Sequence, residues 1–177
     1  MKIVAQKIVH KFDAGAVRLN LKDEEEVSAV YQQMMREIAG RFPHVELEGV
    51  LVQGMAKPGK EVILGMKRDP HFGPILMFGL GGIYVEALKD VTFRLAPIRE
   101  FGAKRMIESI RAYPVLKGIR GERPSDLQAI MECLERLSQL ACERREISEI
   151  DINPMVVHPK GQGASIVDAR VILQEGG

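Results

Sequence analysis

Residues 149–173 read EIDINPMVVHPKGQGASIVDARVIL and contain two stretches of extended-chain residues. The first covers residues 149–157 and the second covers residues 165–173, with the run PKGQG at 159–163 between them. Proline and glycine within a short polar run are typical of tight turns. The pattern therefore predicts a β-hairpin, and with it a domain that contains a sheet.

Three oxygen-bearing side chains lie on this hairpin, namely Asp151, Asn153 and Asp168. Asp151 and Asn153 point to the same face of a strand because successive side chains alternate. If the two strands pair, Asp168 joins them, and a small set of hard oxygen ligands suits Mg²⁺. A solvated sheet face, or an Asx turn before Pro154, explains the same spacing equally well, so both interpretations stay open.

The composition indicates a globular protein. The 177 residues suffice for one large domain or two small lobes, and 46% of them are hydrophobic. The 25 Lys and Arg residues nearly balance the 24 Asp and Glu residues. No global charge therefore attracts nucleic acid or anionic lipid. Aromatic residues make up only 5% and Trp is absent, which disfavours a base-stacking surface.

The sequence shows no signal peptide and no membrane span. The longest run without charged residues, 70–85, is interrupted by glycine and proline and is too short to cross a bilayer. Cys133 and Cys142 are expected on opposite sides of a helix, where they cannot pair. Two unpaired cysteines fit a reducing compartment, so we expect a cytoplasmic protein without nucleic-acid or membrane partners.

Local patterns predict the other elements. Asp23 with Glu26 forms a capping box that opens a helix ending near Gly40. Ser125 with Gln128 forms a second capping box, before a helix that continues to Ala141. Strands are expected at the start of the chain and at residues 17–21, 45–53, 61–66 and 75–78. The turn-rich run MAKPGK at 55–60 is the candidate hinge between two lobes, 1–55 and 56–177.

Other candidates for chemistry are weaker by themselves. In FGLGGI, residues 78–83, Gly81 and Gly82 could let backbone N–H groups approach a phosphate, although a tight turn before a helix is equally consistent. His10 could accept a phosphoryl group or a proton, but most single histidines do neither. The basic bias of residues 99–123 fits a solvated helix face better than a ligand patch. No zinc spacing and no Gly-x-Ser-x-Gly elbow is present.

Taken in order, many segments resemble the ATP-grasp domain of NDP-forming acyl-CoA synthetases, the group that includes ADP-forming acetyl-CoA synthetase. The matching runs are MKIV (1–4), HKFDAGAV (10–17), GVLVQGM (49–55), EVILG (61–65), RDPHFGP (68–74), FGLGGIYVE (78–86), RLAP (94–97), GIRG (118–121), EIDINP (149–154) and VDAR (167–170), together with the single residue Asp90. They extend over essentially the whole chain. A weaker similarity to the β chain of succinyl-CoA synthetase rests on residues 152–154 and Asp168.

The resemblance implies an α+β ATP-grasp fold, in which two lobes with antiparallel sheets hold a nucleotide. Residues 1–55 would be a partial N-terminal lobe, truncated at its start, and residues 56–177 the C-terminal lobe with the Mg²⁺ and nucleotide site. The chain departs from the family at residues 5–7 (AQK), where the family has Ser-Pro-Asp. It also has Phe12 where the family has Ser or Thr, and Gly15-Ala16 where the family has two glycines. Ala16 therefore adds a Cβ where the family's backbone has none.

The resemblance also assigns roles by motif. Lys2 would contact the nucleotide phosphates, and Glu61 would reach the adenosine moiety. The adenine-side hinge would consist of Gln53, Gly54 and Met55, and the glycine-rich loop would add Gly81 and Gly82. Asn153 and Asp168 would hold Mg²⁺ with support from Asp151. His10 would relay a phosphoryl group from a phosphohistidine to ADP.

The implied reaction is acyl-CoA + ADP + phosphate = acid + CoA + ATP, with Mg²⁺ as cofactor. The chain is expected to need a CoA-binding α-type subunit or domain that carries the phosphohistidine, and to form an oligomer. Two alternatives stay open. One is a non-catalytic nucleotide-binding or scaffold subunit, and the other is the ATP-grasp-like part of a protein acyltransferase.

Overall fold

The computed structural model describes residues 1–5, 15–82 and 89–174. The described elements, in chain order, are β1 (Lys2–Val4), α1 (Glu24–Arg41), β2 (Gly49–Leu51), β3 (Lys60–Asp69), β4 (Gly73–Leu80), β5 (Val91–Leu95), α2 (Glu100–Glu108), α3 (Tyr113–Leu116), α4 (Leu127–Glu143), β6 (Ile147–Val157), β7 (Ala164–Ile166) and β8 (Ala169–Leu173). All strand pairs are antiparallel. The content is thus the predicted α+β mixture.

The chain divides into two compact units, Met1–Met55 and Ala56–Gly177. In the first unit, β1 pairs with β2, so that Lys2 lies opposite Leu51. A small core surrounds this pair, with Ile3, Met34 and Ile38 almost fully buried. The methyl group of Ala16 belongs to the same core and is fully buried.

The second unit contains a six-stranded sheet in the order β5-β4-β3-β6-β7, with β8 also paired to β6. Alternate residues of β3, such as Val62 and Leu64, are fully buried in a core with residues of α2, α3 and α4. The helices therefore cover one face of the sheet. Glu61, Ile63 and Gly65 alternate with these positions and belong to the opposite face, which we call the site face.

The predicted hairpin is confirmed. Strand β6 pairs with β7 and β8, and Val157 lies opposite Ala164 at the turn. Strand β6 has an irregularity in its pairing with β3: Val62 pairs with Met155 and Leu64 pairs with Ile152. The bulge therefore falls at Asn153 and Pro154 of β6. Bulges of this kind redirect side chains and are common beside functional sites.

The first predicted N-cap, Asp23, is confirmed, although the Glu26 carboxylate accepts from the N–H of Lys22 and not from that of Asp23; the second predicted cap is wrong by one residue. Asp23 accepts a hydrogen bond from the N–H of Glu26 at 2.8 Å, and α1 ends at Arg41, one residue beyond Gly40. Helix α4 is capped by Asp126 and not by Ser125. Ser125 instead forms an isolated bridge with Pro159, and this long-range pairing overrides the local capping preference.

Two predicted strands are shorter in the structure, and one described strand was not predicted. Of residues 17–21, only Val17 pairs, in an isolated bridge with Lys2, because Asn20 adopts a left-handed conformation with φ 60°. Of residues 45–53, only Gly49–Leu51 form a strand. Strand β5 was not predicted from its short sequence.

Two further expectations concern membranes and disulfides. Among the described residues, no helix is long and apolar enough to span a membrane. Cys133 and Cys142 are both free, as expected from their spacing.

Candidate functional site

The candidate site lies on the site face of the second unit, where β3, β6 and β8 run side by side. Gly65 of β3 lies opposite Asp151 of β6, and Asp151 lies opposite Arg170 of β8. Directly opposed residues project from the same face of a sheet. Asp151 and Arg170 therefore both project from the face that the helices leave uncovered.

The structure brings together the backbone positions of the three predicted metal ligands. The N–H of Asn153 donates to the carbonyl oxygen of Asp168 at 3.0 Å, and the N–H of Val167 donates to the carbonyl of Pro154 at 3.1 Å. These two bonds hold Asp168 directly across from Asn153, two residues from Asp151. Asn153 is exposed, and both aspartates are half-buried.

The electrostatic surroundings of Asp151 are unusual for a carboxylate near a surface. Burial raises the pKa of Asp151, and the negative charges of Glu149 and Asp168 raise it further, whereas Arg170 lowers it. Burial is the largest of these effects, so the surroundings disfavour the charged form of Asp151. A cation bound beside Asp151 would favour the charged form.

The donor set fits a hard, oxygen-preferring cation. Across residues 1–5, 15–82 and 89–174, no three His, Cys, Asp or Glu side chains form a metal-binding group. The candidate ligands at this site are the carboxylates of Asp151 and Asp168 and the amide of Asn153, all of which offer oxygen donors. Mg²⁺ accepts few protein ligands and keeps waters or phosphate oxygens, whereas zinc sites normally use Cys and His. The residues present therefore fit Mg²⁺.

The predicted nucleotide residues Glu61, Gly81 and Gly82 lie together at one end of the site face. The N–H of Gly81 donates to the carbonyl of Glu61 at 2.7 Å. A Cβ on Gly81 would approach Glu61 to within 3.0 Å, and a Cβ on Gly82 would lie 3.8 Å from a carboxylate oxygen of Glu61. Because the N–H of Gly81 is already used, any backbone N–H for a phosphate must come from Gly82 or beyond. Residues 83–88 lie outside the described residues.

The other predicted nucleotide residues belong to the first unit. Lys2 is half-buried on β1, opposite Leu51. Gln53, Gly54 and Met55 follow β2 directly and are exposed. The first unit thus holds Lys2 beside β2, the strand that leads to the predicted adenine-side hinge. His10 lies outside the described residues.

Sequence reasoning assigned no role to Arg170 and Glu149, which accompany the predicted ligands. A nitrogen of the Arg170 guanidinium lies 3.4 Å from a carboxylate oxygen of Glu149. The sequence could have pointed to Glu149 and Arg170, because each lies two residues from a predicted ligand. Strand alternation puts residues two apart on the same face.

Comparison with known proteins identifies the family. The sequence profile of the ATP-grasp domain family matches residues 1–173, and the chain belongs to this family. The β subunit of acetate–CoA ligase (ADP-forming) II from Pyrococcus furiosus is 48% identical over 98% of this chain and 74% of that subunit. The 4-hydroxybutyrate–CoA ligase (ADP-forming) of Nitrosopumilus maritimus is 47% identical, but the match covers only 25% of its length.

Solved structures confirm the predicted ATP-grasp fold. Acetyl-coenzyme A synthetase 1 of Ca. Korarchaeum cryptofilum, in complex with coenzyme A and Ca-AMPCP, matches with a TM-score of 0.92 and 47% identity over 98% of this chain and 75% of that one. A further structure of that enzyme contains Mg-AMPPCP, with a phosphohistidine segment pointing towards the nucleotide binding site. The chain is homologous to the β, or ATP-grasp, subunit of ADP-forming acetyl-CoA synthetases, and it corresponds to part of that subunit.

Proposed function

We propose that this chain is the nucleotide-binding component of an ADP-forming acyl-CoA synthetase, and that it transfers a phosphoryl group between a phosphohistidine and ADP. The observation that carries the proposal is the grouping of Asp151, Asn153 and Asp168 at one edge of the site face. The high identity to β subunits of such enzymes supports it.

The residues have separate tasks in this proposal. Asp151, Asn153 and Asp168 hold Mg²⁺, which supplies positive charge to the phosphate oxygens when it is bound. Glu61 contacts the adenosine moiety, together with the segment Gln53–Met55. Lys2 neutralises phosphate charge. Catalysis of phosphoryl transfer depends mainly on such positioning and charge neutralisation.

His10 is the proposed relay. Its imidazole accepts the phosphoryl group from the phosphohistidine of a CoA-binding partner, whose nitrogen keeps the electron pair of the broken phosphorus–nitrogen bond. A terminal phosphate oxygen of ADP then attacks phosphorus, the bond to His10 breaks, and ATP forms. The CoA-binding partner supplies the acyl chemistry. We infer an assembly of this chain with that partner in the cytoplasm.

Substitution at the metal site tests the nucleotide-binding part of the proposal. Asp168→Asn replaces a charged ligand with a neutral amide of the same size, so the affinity for Mg-ADP should fall by about tenfold or more. Asp69→Asn is the matched control, because Asp69 accepts hydrogen bonds from His71 and Phe72 in the β3–β4 turn, away from the predicted ligands. Equal affinities of the two variants would remove Asp168 from the site.

Substitution of His10 distinguishes the enzyme from a non-catalytic scaffold subunit. In a complex with a CoA-binding partner, ATP formation from acetyl-CoA, ADP and phosphate is measured for the wild type and for His10→Ala. The proposal expects loss of turnover with unchanged Mg-ADP affinity. Turnover that persists in His10→Ala would contradict the relay, and a wild-type complex without any turnover would favour the scaffold.

A further inference from the structure

Arg170 projects from the site face beside the predicted metal ligands. It lies directly opposite Asp151 in the β6–β8 pairing and two residues after Asp168. The side chain is 50% exposed. Arg170 is therefore placed at the edge of the candidate site, where a ligand can reach it.

The hydrogen-bonding capacity of Arg170 is largely unused. A guanidinium carries five N–H donors, yet Arg170 makes one hydrogen bond with the part of the chain that the structure describes, a long one of 3.4 Å to Glu149. Arg68 shows what a structural arginine looks like in the same sheet. It donates to three backbone carbonyls, that of Ala141 in the last turn of α4 at 2.7 Å and those of Ile147 and Arg144 beyond the helix at 3.0 and 3.1 Å.

The charges around Arg170 show what kind of ligand the remaining donors suit. Glu149, Asp151 and Asp168 are three carboxylates, and Arg170 offsets one of them. A divalent cation would balance the remaining two charges. A nucleoside diphosphate then brings new negative charge, which calls for a cationic donor next to the metal. A guanidinium is well suited to this, because its planar N–H groups match phosphate geometry.

We infer that Arg170 donates hydrogen bonds to a phosphate oxygen of the bound nucleotide, on the β8 side of the metal. This inference rests on the proposed function, because it requires a Mg-nucleotide at the site. It adds a binding residue to the three predicted ligands. It also assigns Glu149 a positioning role, since the carboxylate of Glu149 holds the guanidinium from one side.

Calorimetry with substituted chains tests the inference. Arg170→Met removes the charge and the donors while keeping an unbranched side chain, and it should raise the Kd of Mg-ADP by about tenfold. Binding of adenosine, which has no phosphate, should change less than twofold. Arg170→Lys should recover part of the loss because it keeps the charge. Arg94→Met is the control, because Arg94 is an exposed arginine on β5 of the same sheet.

The outcomes separate this inference from the proposed function. Failure of the wild-type chain to bind Mg-ADP would overturn the proposed function, and this inference with it. Binding by the wild type with equal affinity in Arg170→Met and Arg94→Met would overturn the inference alone. An equal loss for Mg-ADP and adenosine would also overturn it, because a residue that only maintains the fold does not discriminate between ligands with and without phosphate.

Discussion

Replacement of Asp126 by asparagine should destabilise the second unit, because this carboxylate anchors the hairpin that carries Asp168. Asp126 is 8% exposed. One of its oxygens accepts the N–H of Ala129 at 3.3 Å, in the first turn of α4. The other accepts the N–H groups of Gly161 and Gly163 at 2.8 and 2.9 Å. One side chain thus caps a helix and fixes the β6–β7 turn.

The cost of Asp126→Asn follows from these three bonds. An amide has one acceptor oxygen, so its NH₂ group must face either the helix N–H or the two turn N–H groups. Lost or weakened bonds to a charged acceptor cost about 1.5–3 kcal/mol each, and a lost helix cap costs about 1 kcal/mol. Since at least one bond is lost and the others lose their charge, we expect a loss of about 2–4 kcal/mol in the free energy of unfolding.

Urea unfolding at pH 7, followed by far-UV circular dichroism, measures this loss. Asp69→Asn is the matched control, because a single oxygen of Asp69 accepts both N–H groups of its turn, from His71 and Phe72. The amide oxygen of asparagine can keep both bonds, so the control should stay within about 0.5 kcal/mol of the wild type. Equal unfolding free energies for Asp126→Asn and the control would refute the reasoning.

Three further predictions concern acid, Arg68 and Gly81. Backbone N–H donors hold the pKa of Asp126 below its ordinary 3.8. The stabilising effect of its carboxylate is therefore present above that value and is lost as the pH falls through the lower folded pKa. Urea unfolding should show that the difference in unfolding free energy between wild type and Asp126→Asn narrows in this acid range, and a constant difference would contradict this. Arg68→Met should cost about 2 kcal/mol, because three carbonyl oxygens lose a charged donor, and an unchanged urea midpoint would argue against that role. Gly81→Ala should weaken Mg-ADP binding measured by calorimetry, because its Cβ would approach Glu61 to within 3.0 Å, and wild-type affinity would show that this contact does not matter.

The sequence predicted most reliably those features that depend on near neighbours. The cap at Asp23 was predicted correctly because its partner, Glu26, lies three residues away. The cap of α4 was misplaced by one residue because Asp126 is also fixed by Gly161 and Gly163, more than thirty residues further on. A capping rule that reads only four residues does not include such partners.

The candidate site shows the same difference between features set by near neighbours and features set by distant residues. The turn between β6 and β7 is local, so the sequence predicted that Asp168 would meet Asp151 and Asn153. The contact of Gly81 with Glu61 depends on the β3–β4 pairing across twenty residues, which spacing alone does not reveal.

Mg-ADP binding by the purified chain, measured by calorimetry with and without EDTA, tests the central proposal most directly. The account predicts saturable binding of one nucleotide that EDTA weakens strongly, since Asp151, Asn153 and Asp168 hold the nucleotide through the metal. Asp168→Asn should reproduce the effect of EDTA. Absence of binding, or binding with the same affinity in EDTA, would contradict the account.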